Sequence, residues 1–469
     1  MIPVSLSWVA EQVNGQLIAK QTQDLVIEGV STDTRSILPT DLFLALEGPN
    51  FDGHKFVKQA QEIGAIALIL SRKVDTYLPY ILVEDTTLAL GLLGAAVKAK
   101  VAPKTVGITG SSGKTTVREM TAAILSRRGK VLATAGNFNN ELGVPMTLLR
   151  LEQQHEFAVI EMGANHLGEI AYMTNLVKPD VATIINADAA HLEGFGSLLG
   201  VARAKSEIYQ GLSEKEGVAV VNADSQFSKF WLSKLNNHNV QTFSVEKQAD
   251  VIAQYITLGL DGCAQFELVT PNASIAINLS LPGVHNVSNA LVAASLAVQV
   301  GATLQDVQDG LRFMPHVPGR LHVKQLTKQV KILDDTYNAN VGSVNAAIDL
   351  LSSFAGIKIL VLGDMAELGE KSRYYHEQVG EYAKQKGIDK LYTLGVLSQS
   401  ASDVFAEQGH HFSRLEQIIE YINQQTLSEK CDISILVKGS RSARMELVVK
   451  ALEESPLGKF ERFREQSVC

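Results

Sequence analysis

One short segment, residues 107–116 (Gly-Ile-Thr-Gly-Ser-Ser-Gly-Lys-Thr-Thr), constrains the fold of this 469-residue chain more than any other. A run of strand-forming residues precedes it, and apolar residues at helical spacing follow it. A loop between a strand and a helix can offer backbone N–H groups and a helix N-terminus to phosphate oxygens. Lys114 adds a positive charge, and Thr115 or Thr116 adds a hydroxyl suited to Mg²⁺. The segment therefore predicts a nucleotide site.

The spacing of this loop differs from the common phosphate-binding loop. Only two residues separate Gly110 from Gly113, where the common pattern has four before Gly-Lys. An ordinary strand-to-helix turn is the alternative interpretation. The residues predicted to contact the nucleotide here are Gly110, Ser111, Ser112, Gly113, Lys114, Thr115 and Thr116.

Composition excludes several classes of function. The chain is 46% hydrophobic and 20% charged, as in ordinary globular proteins, and its net charge of −8 argues against a nucleic-acid partner. Its three cysteines, Cys263, Cys431 and Cys469, lie too far apart for a zinc site or a disulfide framework. The longest apolar stretch, residues 290–300, is too short to cross a bilayer, and the N-terminus does not resemble a signal peptide. We therefore expect a cytoplasmic protein without membrane insertion.

Alternating strand and helix patterns predict an α/β protein of three domains. An N-terminal α/β domain spans 1–100, a central domain with a mainly parallel sheet flanked by helices spans 101–314, and a C-terminal Rossmann-like α/β domain spans 315–469. Alternation within 251–281 predicts an antiparallel addition to the central sheet. The predicted strands are 41–46, 65–70, 80–83, 105–109, 157–161, 181–185, 218–221, 330–334, 357–362 and 433–437.

Polar residues near the ends of predicted strands are candidates for chemistry. Glu161 ends an apolar strand, where a carboxylate beside a phosphate loop is a natural Mg²⁺ ligand; a capping or surface glutamate is the alternative. His191 follows the strand at 181–185, and Asp188 and Glu193 compete with it as metal ligands. Lys205 lies on a predicted helix, and from sequence alone a solvated lysine is the simpler interpretation.

Other candidates are amides and cations near predicted boundaries. Asn286 is interpreted as a helix cap or, with Asn289, as a contact for a base or ribose. Arg320 follows a Pro-Gly pair at a domain junction, where a cation can clamp phosphate. Two clusters can either orient substrate or complete their own turns: Asn139 and Asn140, and Asp334, Asp335, Tyr337, Asn338 and Asn340.

Together these motifs resemble the Mur ligase family, whose short ATP loop matches 109–116. The likeness covers nearly the whole chain and is greatest to the members that act on UDP-N-acetylmuramoyl-tripeptide. The opening Ser31-Thr-Asp-Thr-Arg35 is similar to the UDP-binding domain of those members. The remaining motifs that carry the resemblance are 136–145, 190–197, 334–340, 362–369 and 437–442.

The resemblance implies an ATP-dependent ligase that adds D-alanyl-D-alanine to UDP-N-acetylmuramoyl-tripeptide through an acyl phosphate. This is the last cytoplasmic step in making the peptidoglycan precursor nucleotide. Lys114 would hold the β- and γ-phosphates, and Lys205 matches a lysine that can be carbamylated in this family. The implied Mg²⁺ ligands are Thr115, Glu161 and His191. The other implied contacts are Asn286, Asn289, Arg320 and Asp335 for the nucleotide, Ser31 and Arg35 for uridine diphosphate, and Asn338 and Asn340 near the dipeptide.

Two positions depart from the family pattern, and two other functions stay open. Val341 stands where the family usually has proline, and Ala443 where it usually has methionine. A sister ligase or a folylpolyglutamate-synthase-like ligase would keep the ATP chemistry with another amino acceptor. A nucleotide switch would use the same loop without forming a bond. We expect the enzyme to be a monomer.

Overall fold

Three mixed sheets organise the chain, which is described by a computed structural model. The structure describes residues 1–19, 25–188, 192–314, 318–427, 429 and 431–457. Within the described residues these three sheets have five, nine and six strands, in order along the chain, and two further sheets have two strands each. The predicted class, three α/β domains with a mostly parallel central sheet, is confirmed.

The N-terminal domain has a five-stranded sheet in the order β2-β9-β8-β5-β4, parallel except for the β2–β9 pair. Its helices are α1 (Leu6–Gln12), α2 (Val57–Ile63) and α3 (Thr86–Val101). Its strands are β1 (Val4–Ser5), β2 (Gln16–Ile18), β3 (Val26–Ile27), β4 (Gly29–Ser31), β5 (Asp41–Leu44), β6 (Glu47–Gly48), β7 (Phe51–Asp52), β8 (Ala67–Leu70) and β9 (Tyr80–Leu82).

The central domain has a nine-stranded sheet in the order β11-β12-β10-β13-β14-β15-β16-β17-β18. Its strands are β10 (Lys104–Thr109), β11 (Lys130–Ala133), β12 (His155–Glu161), β13 (Val181–Ile184), β14 (Val218–Asn222), β15 (Asn239–Ser244), β16 (Val251–Leu258), β17 (Cys263–Val269) and β18 (Ser274–Pro282). Its helices are α4 (Lys114–Leu125), α5 (Gly143–Leu148), α6 (Glu169–Val177), α7 (Leu192–Phe195), α8 (Leu198–Ser206), α9 (Ser228–Leu232), α10 (His285–Gln299) and α11 (Leu304–Arg312).

Strand β10 lies between β12 and β13, and both pairings are parallel. Its Val106 and Ile108 on one face and its Thr105 and Thr109 on the other are all fully buried, as expected for a strand covered on both faces. Because parallel strands end at the same edge, the residues that follow β10, β12 and β13 meet there. The predicted antiparallel addition is confirmed in β16, β17 and β18.

The C-terminal domain has a six-stranded sheet in the order β19-β20-β24-β21-β22-β23, parallel except for the β19–β20 pair. Its strands are β19 (His322–Gln325), β20 (Val330–Asp335), β21 (Ile357–Gly363), β22 (Lys390–Leu394), β23 (Gly409–Phe412) and β24 (Ile433–Lys438). Its helices are α12 (Val341–Ser352), α13 (Ser372–Gln385), α14 (Gln399–Phe405), α15 (Leu415–Leu427) and α16 (Glu446–Glu454).

Helix α3 joins the first two domains. The Asp85 carboxylate caps its N-terminus, and Ala102, with φ 52°, ends it. The helix packs against α5 and α6, so the N-terminal and central domains share one apolar core. In the described part of the chain, no helix has the length and apolar character needed to span a membrane.

Candidate functional site

The predicted phosphate loop connects β10 to α4, with Lys114 as the first helical residue. Gly113 has φ 78°, a left-handed conformation that favours glycine, and a Cβ there would lie 2.8 Å from Asn289 Oδ1. Lys114 Nζ donates to the Gly110 carbonyl at 2.8 Å, so the lysine folds back over the loop. Desolvation in the cleft lowers the pKa of Lys114, and Glu161 opposes that shift.

The segment after β13 braces the loop. Asn186 Oδ1 accepts the N–H groups of Ser111 and Ser112, each at 2.9 Å. Ser111 Oγ donates to the Asp188 carbonyl at 3.1 Å and accepts the Asp188 N–H at 2.9 Å. The loop is therefore fixed to the neighbouring strand end.

Glu161, at the end of β12, lies beside the loop as the sequence predicted, and it is buried rather than at the surface. Its carboxylate accepts hydrogen bonds from Thr115 Oγ1 (3.2 Å), Arg118 Nη1 (3.2 Å) and Asn139 Nδ2 (2.8 Å). The alternative of a surface or capping glutamate is wrong. The Asn139 contact brings the amide-rich turn to the site, whereas Asn140 Oδ1 accepts the Gly143 N–H at 2.9 Å and completes its own turn.

Lys205 lies in α8 and is 1% exposed, so the interpretation of a solvated lysine is wrong. Burial, reinforced by the charge of Lys114, lowers its pKa well below the ordinary value. Asp188 opposes that shift, and burial raises the pKa of Asp188 itself. His191 lies outside the described residues.

The two candidate amides of α10 are buried beside the loop. Asn286 is the second residue of the helix, so the interpretation of Asn286 as its N-cap is wrong. Its Nδ2 donates to the Pro282 carbonyl at 2.7 Å, and Asn289 Nδ2 donates to Asn286 Oδ1 at 2.8 Å. With Asn289 against Gly113, this pair connects α10 to the phosphate loop.

Arg320 extends from the C-terminal domain to the central one. Its Nη2 donates to Thr115 Oγ1 at 3.2 Å, and its guanidinium lies 4.2 Å from the ring centroid of Tyr337. Its Nε is buried and has no hydrogen-bond partner among the described residues. Buried donors without a partner are uncommon in proteins, so this guanidinium is a candidate for a further contact in the cleft.

Asp335 and Lys438 form a buried ion pair at the ends of β20 and β24, with Nζ 2.5 Å from Oδ2. Lys438 Nζ also donates to the Asn338 carbonyl at 2.9 Å. Burial lowers the pKa of Lys438, and Asp335 opposes the shift. The pair therefore fixes the predicted cluster after β20.

Asn340 caps α12 through its Oδ1, which accepts the Ser343 N–H at 2.9 Å. Its Nδ2 donates to the Ser111 carbonyl at 3.2 Å. One side chain thus joins the C-terminal domain to the phosphate loop.

These residues surround two adjoining cavities. The smaller, about 220 Å³, is lined by Gly113, Asn286, Asn289, Arg320 and Asp335, among others. The larger, about 1040 Å³, lies between the central and C-terminal domains. Its lining includes the candidates Ser111, Lys114, Thr115, Asn139, Asn140, Glu161, Arg320, Asn338 and Asn340.

Ser31 and Arg35 lie in the N-terminal domain, and neither lines these two cavities. Ser31 Oγ donates to the Asp33 carbonyl at 2.8 Å. Arg35 is exposed and forms a bidentate ion pair with Asp33, which lowers the pKa of Asp33 to about 2. Buried Ser31 and exposed Arg35 are therefore not part of the cavity linings that hold the other candidates.

The motif at 362–369 contains structural contacts that sequence reasoning missed. Asp364 accepts the N–H groups of residues 396, 397 and 398 at 3.1, 3.0 and 2.8 Å, respectively. Buried His376 accepts the Met365 N–H at Nε2 (2.9 Å) and donates from Nδ1 to the Ser372 carbonyl (2.8 Å), so it is neutral. Burial lowers the pKa of His376, which agrees with that state.

Three family models match the chain over most of its length. The chain matches family models described as the Mur ligase family catalytic domain (26–123), the Mur ligase middle domain (108–297) and the Mur ligase glutamate ligase domain (319–441). A UDP-N-acetylmuramoyl-tripeptide–D-alanyl-D-alanine ligase of Escherichia coli is 48% identical over 97% of this chain and 99% of its own length. The Haemophilus influenzae protein of the same name is 42% identical over 97% of this chain and 99% of its own.

Solved structures are similar over the same extent. A crystal structure of MurF from Acinetobacter baumannii has a TM-score of 0.92 and 38% identity, covering 97% of this chain and 99% of that one. MurF ligase from Thermotoga maritima, in complex with ADP, has a TM-score of 0.80 and 29% identity, covering 92% and 98%.

Proposed function

The chain belongs to the Mur ligase family, and we propose that it joins D-alanyl-D-alanine to UDP-N-acetylmuramoyl-tripeptide at the expense of ATP. Relatives that span almost the whole chain bear that name. The single observation that carries the proposal is the meeting of three elements in one cleft. The phosphate loop, Glu161 and the 334–340 cluster all line the cavity between the central and C-terminal domains.

The nucleotide would extend across both cavities. The smaller cavity offers the buried amides Asn286 and Asn289 to a base or ribose, and Asp335 lies at the same cavity. The phosphates would then follow the loop to Lys114. The orphaned Nε of Arg320 supports a role for this guanidinium at the terminal phosphate.

The donor set of the cleft fits Mg²⁺. Thr115 Oγ1 and Glu161 Oε2 lie 3.2 Å apart beside Lys114, and a hydroxyl with a carboxylate suits a hard cation. Bound there, Mg²⁺ would neutralise charge on the phosphate oxygens. We retain His191 as a proposed third ligand from the sequence alone.

Lys205 has the chemistry required for carbamylation. Because burial and Lys114 favour its neutral amine, its nitrogen lone pair can attack CO₂ and release one proton, leaving an N–C bond and a carboxylate. The new negative charge would face Lys114 in place of a second ammonium.

In the proposed reaction, a carboxylate oxygen of the tripeptide attacks the γ-phosphorus, and ADP leaves. The free amine of the dipeptide attacks the resulting carbonyl, loses a proton, and phosphate departs with the carboxylate oxygen. Lys114 and Arg320 would stabilise the moving negative charge, since both side chains reach the phosphate loop. The C-terminal domain would cover the cleft and exclude water from the acyl phosphate.

The positions of four asparagines in the larger cavity suggest which of them contact each substrate. We assign Asn338 and Asn340 to the dipeptide side and Asn139 and Asn140 to the peptide side, because all four line the larger cavity. Ser31 and Arg35 of the N-terminal domain would hold uridine diphosphate. We also propose that the domain boundaries lie near residues 100 and 315 and that the enzyme is a monomer. Its proposed location is the cytoplasm, where ATP is available.

A phosphate-release assay across a panel of UDP-peptides and amino donors tests this function. We expect turnover only with the UDP-muramoyl tripeptide and D-alanyl-D-alanine together. Turnover with glutamate or a diamino acid would instead identify a sister ligase. Release of ADP without either substrate would identify a nucleotide switch.

The variants Lys114→Ala and Glu161→Ala sharpen this assay. We expect each to abolish ligation while circular dichroism shows that the fold is retained. Only Lys114→Ala should keep the parental melting temperature, because Glu161→Ala leaves buried Arg118 without one of its carboxylate partners. Asn175→Ala is the control, because Asn175 is exposed and, among the described residues, its side chain donates only to the Ala171 carbonyl of its own helix. Near-normal turnover in either cleft variant would reject the assignment.

A further inference from the structure

The side chain of Asn186 fills the inside of the phosphate loop. Its Oδ1 accepts the N–H groups of Ser111 and Ser112 at 2.9 Å each. Its Nδ2 donates to Ser112 Oγ at 2.9 Å and to the Ser112 carbonyl at 3.3 Å. One carboxamide therefore makes four hydrogen bonds to two consecutive loop residues.

The loop is shorter than the common pattern by two residues between Gly110 and Gly-Lys. A shorter loop has fewer internal partners for its own backbone groups, and buried backbone groups need partners. Asn186 supplies them from a strand end more than seventy residues further along the chain. Its carboxamide therefore supplies hydrogen-bond partners that a longer loop would supply itself.

The backbone that carries Asn186 is itself fixed. The preceding residue, Ile185, donates its N–H to the Thr109 carbonyl at 2.9 Å, and its own carbonyl accepts Asn222 Nδ2 at 2.9 Å. Asn186 is thus held from β10 on one side and from β14 on the other. A carboxamide anchored in this way can hold the loop in one conformation before any ligand arrives.

From these contacts we propose that Asn186 is a positioning residue that preforms the phosphate loop. Ser111 and Ser112 then donate inward to Asn186, and the N–H groups of residues 113–116 are the ones directed to the nucleotide's phosphates. The inference rests on the proposed function for the identity of the ligand. Asn186 does not itself bind phosphate, because both protons of its Nδ2 already have acceptors.

Residue-resolved amide hydrogen exchange on the full chain tests this without any turnover. In the nucleotide-free protein we expect the amides of Ser111 and Ser112 to be protected already. Ser112 is the decisive position, because the Ser111 N–H also reaches the backbone carbonyl of Asn186 at 3.2 Å. Addition of Mg²⁺-ADP should increase protection only from Gly113 onward. The proposal is overturned if these two serine amides exchange freely until ADP is added, since phosphate would then be their acceptor.

Binding measurements on Asn186→Ala give a second test. We expect the dissociation constant for ATP to rise at least about tenfold, while that for adenosine, which has no phosphate, changes less than about twofold. Asn186→Asp keeps the acceptor but replaces the Nδ2 donor with an oxygen facing the Ser112 carbonyl, so it should not rescue ATP affinity. The control Asn175→Ala should match the parent.

Equal losses for ATP and adenosine, or no loss for either, would overturn the proposal. If the parent chain binds no ATP, the proposed function fails, but the exchange pattern of the ligand-free loop still decides the role of Asn186.

Discussion

Replacing Lys438 with methionine should strongly destabilise the C-terminal domain. Lys438 is 1% exposed and Asp335 is 7% exposed, and their charged atoms are 2.5 Å apart. Removing one partner of a buried pair leaves the other charge without compensation, which costs about 3–5 kcal/mol. That loss is a large share of the roughly 5–15 kcal/mol that stabilises a typical domain. Native-state hydrogen exchange of the amides in β20 and β24 measures it in the full chain.

Two further variants make the argument refutable. In Asp335→Asn/Lys438→Met neither charge remains, so we expect most of the lost opening free energy to return. Arg373→Met removes the exposed pair with Glu377 in the same domain, where about 0.3–0.5 kcal/mol is expected. A loss for Lys438→Met as small as this control would refute the reasoning, because the buried pair would then be energetically equivalent to a solvated one.

Three other predictions follow from single side chains. Burial lowers the pKa of His376, which is neutral, so its contribution to stability is complete above pH 6.5 and is lost as the pH falls through the folded-state pKa. Urea unfolding at pH 7.5 and 5.5 measures this loss. If His376→Gln showed the same dependence of unfolding free energy on pH as the parent, the prediction would be contradicted. Asn340→Ala should cost about 1 kcal/mol in thermal unfolding, whereas Asn340→Asp should retain the cap; equal losses would show that the cap is not the cause. Arg320→Lys loses the planar contact with Tyr337, so we expect kcat to fall at least about tenfold at an unchanged melting temperature, and a parental kcat would exclude the role.

Local pattern predicted the framework of the site. Apolar runs identified β10 and β12, and the glycine spacing identified the loop between β10 and α4. Since parallel strands end at one edge of a sheet, it also followed that Glu161 would lie beside that loop. The geometry of Thr115 and Glu161 agrees with this expectation.

What sequence reasoning missed are contacts between distant residues. The burial of Lys205 and the hydrogen bonds between Asn186 and Ser112 depend on how helices and strand ends pack in three dimensions. Hydrophobic periodicity along the sequence carries no information about that packing. The sequence offers Asn340 as a substrate contact or as part of its own turn, and neither interpretation includes the contact of its Nδ2 with the phosphate loop. The motif at 362–369 indicates only the family resemblance, and the structure adds that Asp364 accepts backbone N–H groups in the segment after β22.

Oxygen transfer during turnover tests the central claim most directly. The UDP-muramoyl tripeptide is labelled with ¹⁸O in its reacting carboxylate, and the phosphate released with ATP and D-alanyl-D-alanine is examined by mass spectrometry. If the carboxylate is phosphorylated in the cleft between Lys114 and Arg320, each phosphate carries one labelled oxygen. Unlabelled phosphate, formed at the same rate without the dipeptide, would contradict the account.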